Sequence, residues 1–267
     1  MALIAGEIYG KDKSRMSYSS ESTKAVLLVG GLGTRLRSVV SSTPKPLASV
    51  GDRPFLELLV EQLRFQGIRR LVLCTGYLAH EIEKQLGDGR KWQVAIEYSR
   101  EPHAMGTGGA VKFAEPLLHD VSDFLVMNGD SFMETDFQEL INSHHKSGGI
   151  ATIAVLRMKN EMRYGMVQMT TGDRVSGFTE KSQGDGTGFV NAGIYVFNRR
   201  IFDYIPEGPV SLERDIFPKL LDQGLYASKQ HGVFIDIGTP EDYTRAQGLV
   251  RRLYEAACPK EPPGISD

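Results

Sequence analysis

Five apolar residues, Ala25 to Val29, run without a break into Gly30, Gly31 and, two positions on, Gly33. A strand that ends in glycines at this spacing constrains the fold more than any other part of the chain. Glycine accepts positive φ and leaves no side chain in the way, so successive backbone N–H groups can turn inward around an anion. Thr34, Arg35 and Arg37 follow at once, bringing a hydroxyl and two guanidinium groups that grip phosphate oxygens in a two-pronged fashion. Lys45 then supplies a compact charge on a short segment stiffened by Pro44 and Pro46. The pattern reads as a strand, a phosphate loop and an anchored lysine.

Spacing excludes two better-known phosphate loops. The dinucleotide fingerprint requires glycines at its first, third and sixth places, and counting from Gly31 and Gly33 the sixth place is Leu36. The P-loop requires Gly-Lys before Ser or Thr, whereas Gly10 and Lys11 precede Asp12.

The first half alternates apolar runs with helical periodicity. Strands are expected at Leu71 to Thr75, Val94 to Tyr98 and Phe124 to Asn128, with helices at Phe55 to Phe65, Ala79 to Leu86 and Thr107 to Leu117. Such alternation predicts a parallel sheet with helices on both faces, whose ligands bind at the carboxyl ends of the strands. Beyond about residue 150 the pattern becomes one of antiparallel pairing, with strands expected at Ile150 to Met158, Gly165 to Met169, Arg174 to Glu180 and Phe189 to Phe197. A helix from Leu212 to Leu221, strands at Tyr226 to Lys229 and Val233 to Asp236, and a last helix from Pro240 to about Tyr254 complete the pattern. The expected organisation is one domain over residues 23–256 between flexible tails at 1–22 and 257–267.

Composition narrows the function classes. The chain has 267 residues and a formal net charge of −2, which argues against a nucleic-acid surface. No apolar run approaches the roughly 18 residues of a membrane helix, and the first residues lack the pattern of a secretory signal, so a cytoplasmic protein is expected. Cys74, within LVLCT, reads as a buried free thiol, and Cys258 lies in a different context. Met16 offers a second possible translation start; N-terminal sequencing of the native protein that found residues 1–15 would reject it. No feature of the sequence fixes an oligomeric state, and an oligomer is compatible with it.

The glycines with Thr34, Arg35 and Leu36, followed by Pro44-Lys45-Pro46, resemble the G-G-x-G-T-R-L and P-K-P signature of the sugar-phosphate nucleotidyltransferases. The resemblance implies a Rossmann-like three-layer α/β sandwich with a mostly parallel central sheet and a small antiparallel sugar-binding part. It also implies an enzyme that joins a nucleoside triphosphate to a sugar 1-phosphate and releases pyrophosphate, with Arg35 and Lys45 handling phosphate. Residues 24–250, and LRSVVSSTPKP and MGTGGA in particular, are most similar to the D-glycero-α-D-manno-heptose 1-phosphate guanylyltransferases, which implies GTP as donor and GDP-heptose for bacterial surface polysaccharide as product. Mannose 1-phosphate guanylyltransferase and N-acetylmuramate 1-phosphate uridylyltransferase remain open as alternatives.

Further residues take roles from the same resemblance. Asp130 follows the apolar strand FLVMN and Asp236 closes VFID; magnesium takes one or two carboxylates together with substrate phosphates, and the family carries metal at these two positions. In EPHAMGTGGA, the small residues let a flat ligand approach the backbone, and the family borders the nucleoside here, which assigns base and ribose contacts to Met105, Gly106 and Thr107. Tyr77 is a further neighbour of that site. On the sugar side, Glu180 accepts from vicinal hydroxyls, Lys181 neutralises the sugar phosphate, Asn191 donates and accepts, and Gly165 and Gly193 admit backbone to the ring.

None of the six histidines is needed for this chemistry, and His144 with His145 reads as a polar helix end. A non-catalytic sugar-nucleotide sensor of the same fold is the alternative from another class; Arg35, Lys45, Asp130 and Asp236, all present, argue for an enzyme. A Rossmann-type oxidoreductase is opposed by Leu36.

Overall fold

In a computed structural model of the chain, residues 23–31, 33–36, 43–159, 166–179 and 187–258 are described. The expected N-terminal tail, Arg37, Gly165, Glu180 and Lys181 lie outside these residues, as does the expected C-terminal tail from residue 259; its first residue, Ala257, is instead buried at the end of the last helix, because its methyl packs into the core.

Among the described residues, nine strands form the main sheet: β1 (Lys24–Leu28), β2 (Arg70–Thr75), β3 (Ala95–Arg100), β4 (Asp123–Asn128), β5 (Ala151–Lys159), β6 (Met166–Met169), β7 (Val175–Thr179), β8 (Thr187–Asn198) and β9 (Leu225–Gln230). The order along the sheet is β7-β6-β8-β4-β1-β2-β3, and β5 pairs with both β8 and β9. Strands β4, β1, β2 and β3 are parallel, whereas β8 runs antiparallel to β4, β5 and β6. The antiparallel strands therefore continue the parallel sheet.

Strand alternation sends side chains to two cores. Ala25, Leu27 and Val29 join one apolar cluster, and Val26 joins the other across the sheet. Helices α1 (Phe55–Phe65), α2 (Ala79–Leu86) and α4 (Phe137–Ser147) pack on the first face, and α3 (Gly106–Phe113) covers the second. The boundaries of α1 and α2 agree with the expected ones because local chemistry sets them: Pro54 precedes α1, and Gly87 closes α2 at positive φ. In α4, Asp136 accepts from the Glu139 N–H at 2.9 Å and Gly148 closes the last turn. Helix α3 stops earlier than expected and gives way to a 3₁₀ turn, Glu115–Leu118, where Pro116 lacks an N–H.

Two other helices differ from expectation. The segment from Leu212 begins as a single π-helical turn, Leu212–Ile216, and becomes α-helical only over Phe217–Leu220, with Pro218 interrupting the hydrogen-bond ladder. The last helix divides at Leu249 into α5 (Pro240–Gly248) and α6 (Val250–Ala257); Gly248, a poor helix former, ends the first part. No helix among the described residues is long and apolar enough to cross a membrane. Cys74 is a buried free thiol, as expected, and burial raises its pKa.

Two features of the sheet position the site. Leu28 is level with both Cys74 and Asn128, so the loops leaving β1, β2 and β4 lie side by side at one edge. Beside the main sheet, Ser131–Met133 pairs antiparallel with Phe234–Asp236, placing Asp236 opposite Ser131. The Ile237 N–H also donates to the Asp130 carbonyl at 2.9 Å.

Candidate active site

The glycine loop leaves β1 pinned on both sides. The Val29 N–H donates to the Cys74 carbonyl at 3.0 Å, and the Gly129 N–H donates to the Leu28 carbonyl at 3.0 Å. Gly33 has φ +58°, a backbone that only glycine adopts freely, and the Leu36 N–H closes the turn on its carbonyl at 3.1 Å. Leu36, buried to 1% exposure, anchors the loop in the core and leaves Arg35 exposed. Pro44 holds an extended backbone and Lys45–Leu47 forms a 3₁₀ turn whose Pro46 and Leu47 are buried. Arg35 and Lys45 thereby line one cleft of about 170 Å³ together with Gly31, Gly33, Gly129, Asp130 and Gly238.

Within it, the Lys45 Nζ donates to Asp130 Oδ2 at 2.5 Å and lies 4.0 Å from Asp236 Oδ1. The Gly238 N–H donates to Asp236 Oδ1 at 2.5 Å. Burial, with the charge of Asp130 beside it, pushes Asp236 up to about 6, even though Lys45 and the Gly238 N–H favour its charged form. Two carboxylates set on the Lys45 ammonium in a partly buried cleft offer oxygen ligands of the kind a small divalent cation takes.

A second cleft of about 290 Å³ shares Leu28, Gly31 and Asp130 with the first and extends past Gly30, Glu101, Met105, Gly106, Thr107 and Asn128. The three residues assigned to the nucleoside all line it, but Thr107 is already bonded: its hydroxyl donates to Glu213 at 2.8 Å and accepts from the Leu212 N–H at 2.8 Å. Tyr77, 42% exposed, is not among the lining residues. Glu101, which the sequence reading left without a role, directly follows β3 and packs so tightly on Gly30 that a Cβ there would collide with its carboxylate. Burial raises its pKa, opposed by the Met105 N–H that donates to it at 3.2 Å. The signal was present in the sequence: an acidic residue at the carboxyl end of a strand, at the head of the glycine-rich segment.

On the other flank β8 carries a bulge. Asn191 pairs with Val155 and Tyr195 with Ile153, so four steps along β8 match two along β5. Gly193, with φ +73°, lies within the bulge against Asn128; bulges of this kind often adjoin functional sites because they re-aim side chains. Asn191 accepts from the Gly193 N–H at 2.9 Å and donates to the Tyr195 hydroxyl at 3.0 Å. Of the five residues assigned to the sugar, the structure thus describes Asn191 and Gly193.

The model of the family described as Nucleotidyl transferase matches residues 24–252, nearly the whole described chain. The chain belongs to the nucleotidyl transferase family. Among this nucleotidyl transferase's relatives is the mannose-1-phosphate guanylyltransferase of Mycobacterium tuberculosis, 38% identical over 235 residues, 86% of this chain and 65% of that protein. The chain thus spans about 65% of the length of that enzyme. The D-glycero-alpha-D-manno-heptose 1-phosphate guanylyltransferase of Aneurinibacillus thermoaerophilus is also 38% identical, over 226 residues that cover 84% of this chain and 96% of that one. Among solved structures, HddC from Yersinia pseudotuberculosis complexed with GMP-PN superimposes with a TM-score of 0.77 at 33% identity, covering 85% of this nucleotidyl transferase and 99% of HddC.

Proposed function

We propose that this nucleotidyl transferase joins GTP to a sugar 1-phosphate, D-glycero-α-D-manno-heptose 1-phosphate before mannose 1-phosphate, giving the GDP-sugar and pyrophosphate. The observation that carries the reading is Lys45, held at the mouth of the glycine loop between Asp130 and Asp236. The likeness of LRSVVSSTPKP and MGTGGA to the heptose enzymes supports the heptose reading, while the mannose and heptose enzymes are equally similar to the whole chain at 38% identity. Guanine suits Glu101: an ionised carboxylate only accepts hydrogen bonds, and the Watson–Crick edge of guanine presents two adjacent N–H donors.

The chemistry asks little of the protein in acid–base terms. A phosphate monoester has its second pKa near 6, so the attacking oxygen of the sugar phosphate is ionised at neutral pH and needs no general base. The barrier is repulsion between anions. Lys45 and Arg35 offset it, and the glycine loop holds the triphosphate with backbone N–H groups so that nucleophile, α-phosphorus and leaving pyrophosphate lie in line. Asp130 and Asp236 are the proposed ligands of magnesium, which when bound supplies charge neutralisation to the phosphates. Glu180, Lys181 and Gly165 keep their proposed place at the sugar phosphate.

Pyrophosphate release by the purified protein with magnesium, crossing GTP, ATP, UTP, CTP and dTTP with heptose, mannose, glucose and N-acetylmuramate 1-phosphates, tests the reading. Turnover with GTP and the heptose phosphate alone is expected. Another productive pair would keep the mechanism and change the substrates. Silence across the panel from folded protein that binds nucleotide would favour a sensor.

A further inference from the structure

The two flanks of the cleft meet in one carboxylate. Glu213 stands on the single π-helical turn, a helix distortion that recurs at functional sites because it re-aims a side chain. Its Oε2 accepts from the Thr107 hydroxyl at 2.8 Å and from the Ser211 hydroxyl at 2.8 Å. Its Oε1 accepts from the Tyr195 hydroxyl at 3.2 Å, and that hydroxyl accepts from Asn191. The backbone repeats the link: the Gly108 and Gly109 N–H groups donate to the Val210 carbonyl at 2.9 and 3.2 Å, and the Val210 N–H donates to the Met105 carbonyl at 2.9 Å.

We propose that Glu213 is a positioning residue that sets both walls of the cleft, the nucleoside wall through Thr107 and the sugar wall through Tyr195 and Asn191; this rests on the guanylyltransferase reading above. The negative charge is what makes the arrangement unique. Each hydroxyl has one proton, and an ionised carboxylate can only accept, so the protons of Thr107, Ser211 and Tyr195 all point at Glu213. That leaves the lone pairs of Tyr195 to receive the Asn191 amide and those of Thr107 to receive the Leu212 N–H. Asn191 is fixed at its other end by the Gly193 N–H, so its amide has one orientation, with one N–H and one oxygen lone pair left for a ligand. The Tyr195 ring is fully buried and stacked on Phe197 with centroids 5.6 Å apart, so the hydroxyl cannot drift. A neutral amide at position 213 would keep one acceptor oxygen and put a donor on the other side, so either the Thr107 and Ser211 protons or the Tyr195 proton would lose their acceptor and the bond directions would no longer be fixed.

The test is steady-state kinetics in which GTP and the sugar phosphate are varied separately, on wild type and on Thr107→Val, Tyr195→Phe and Glu213→Gln, with nucleotide binding followed in parallel by calorimetry. Tyr195→Phe is expected to raise KM for the sugar phosphate about tenfold and leave KM for GTP unchanged, and Thr107→Val to do the reverse. Glu213→Gln raises both and lowers kcat. All three raising both constants together, or Glu213→Gln changing neither, would overturn the proposal, since general loosening gives the first and a spectator carboxylate the second. If the wild type turns over neither heptose nor mannose phosphate, the functional reading fails and calorimetry decides this one: weaker nucleotide binding in Glu213→Gln but not in Tyr195→Phe supports it, and equal binding in both refutes it. Should Glu213→Gln fail to fold, the opposed shifts of Tyr195→Phe and Thr107→Val still decide.

Discussion

Lys45 and Asp130, 85 positions apart in sequence, meet at 2.5 Å at the carboxyl edge of the sheet, with Asp236 4.0 Å from the same ammonium. The lysine proposed to meet the substrate phosphates is thus held by the carboxylates proposed to hold a cation. A cation arriving there competes with Lys45 for Asp130 and frees the ammonium for phosphate. Lys45→Met is therefore expected to bind Mn²⁺ more tightly than wild type in the absence of nucleotide, while turnover falls by about 10²-fold or more. Titration followed by electron paramagnetic resonance checks the first half; weaker Mn²⁺ binding in the variant would refute the competition.

Asp130→Asn and Asp236→Asn should each abolish most turnover, by about 10²- to 10³-fold, with the melting temperature retained. Their Mn²⁺ affinity should fall with it. Normal activity in either variant would remove that aspartate from the site.

Glu101→Gln exchanges an acceptor-only group for one acceptor and one donor. KM for GTP should rise about 10- to 100-fold with little effect on ATP or UTP, so discrimination collapses from the GTP side. An unchanged ratio of kcat/KM for GTP over the other nucleotides would show that the base is read elsewhere.

A fourth expectation concerns stability and pH at the opposite edge of the sheet. Burial of Asp123 works to raise its pKa, but hydrogen bonds from His144, Ser122 and Asn198 outweigh it and hold the carboxyl well below the ordinary carboxylate value. A carboxyl lowered on folding adds stability that is fully present above the unfolded value near 4 and disappears as pH falls below it. Asp123→Asn should therefore cost about 1–2 kcal/mol at neutral pH and flatten the loss of stability below about pH 4. Urea unfolding between pH 3 and 6 measures both; the same acid slope in wild type and variant would contradict it.

Gly193→Ala probes the bulge. At φ +73° an added Cβ would lie 2.6 Å from Asn128 Nδ2, so the variant is expected to lose about 1–3 kcal/mol and to bind sugar phosphate more weakly. Full stability by thermal melting would mean that the bulge relaxes without cost.

The parallel half of the fold was legible because its signals are local. Pro54 and Gly87 mark helix limits directly, and the short apolar run from Ala25, cut off by glycines, reads as a buried strand and forms one over Lys24–Leu28. The gathering of the glycine loop and both aspartates around Lys45 was legible for the same reason: each follows an apolar strand. The pairing of Ser131–Met133 with Phe234–Asp236, which brings those aspartates together, was not, since three residues carry no periodicity and their partner is remote in sequence. Glu213 was hidden differently. Its bonds to Thr107 and Tyr195 depend on a π-helical turn, and in sequence it is one acidic residue on an ordinary amphipathic segment. Glu101 could have been read, because it opens the very segment assigned to the nucleoside.

The small ribbon of Ser131–Met133 and Phe234–Asp236 also dictates whether the centre can exist. A single domain folds as a unit, so contacts between its remote parts form together. The glycine loop, Lys45 and Asp130 all precede the ribbon's first strand, and Asp236 follows β9. Neither aspartate is therefore positioned by its sequence neighbours alone, and the centre is as cooperative as the fold itself: loosening the ribbon anywhere along its three paired positions would separate the two carboxylates before the main sheet had lost a single strand.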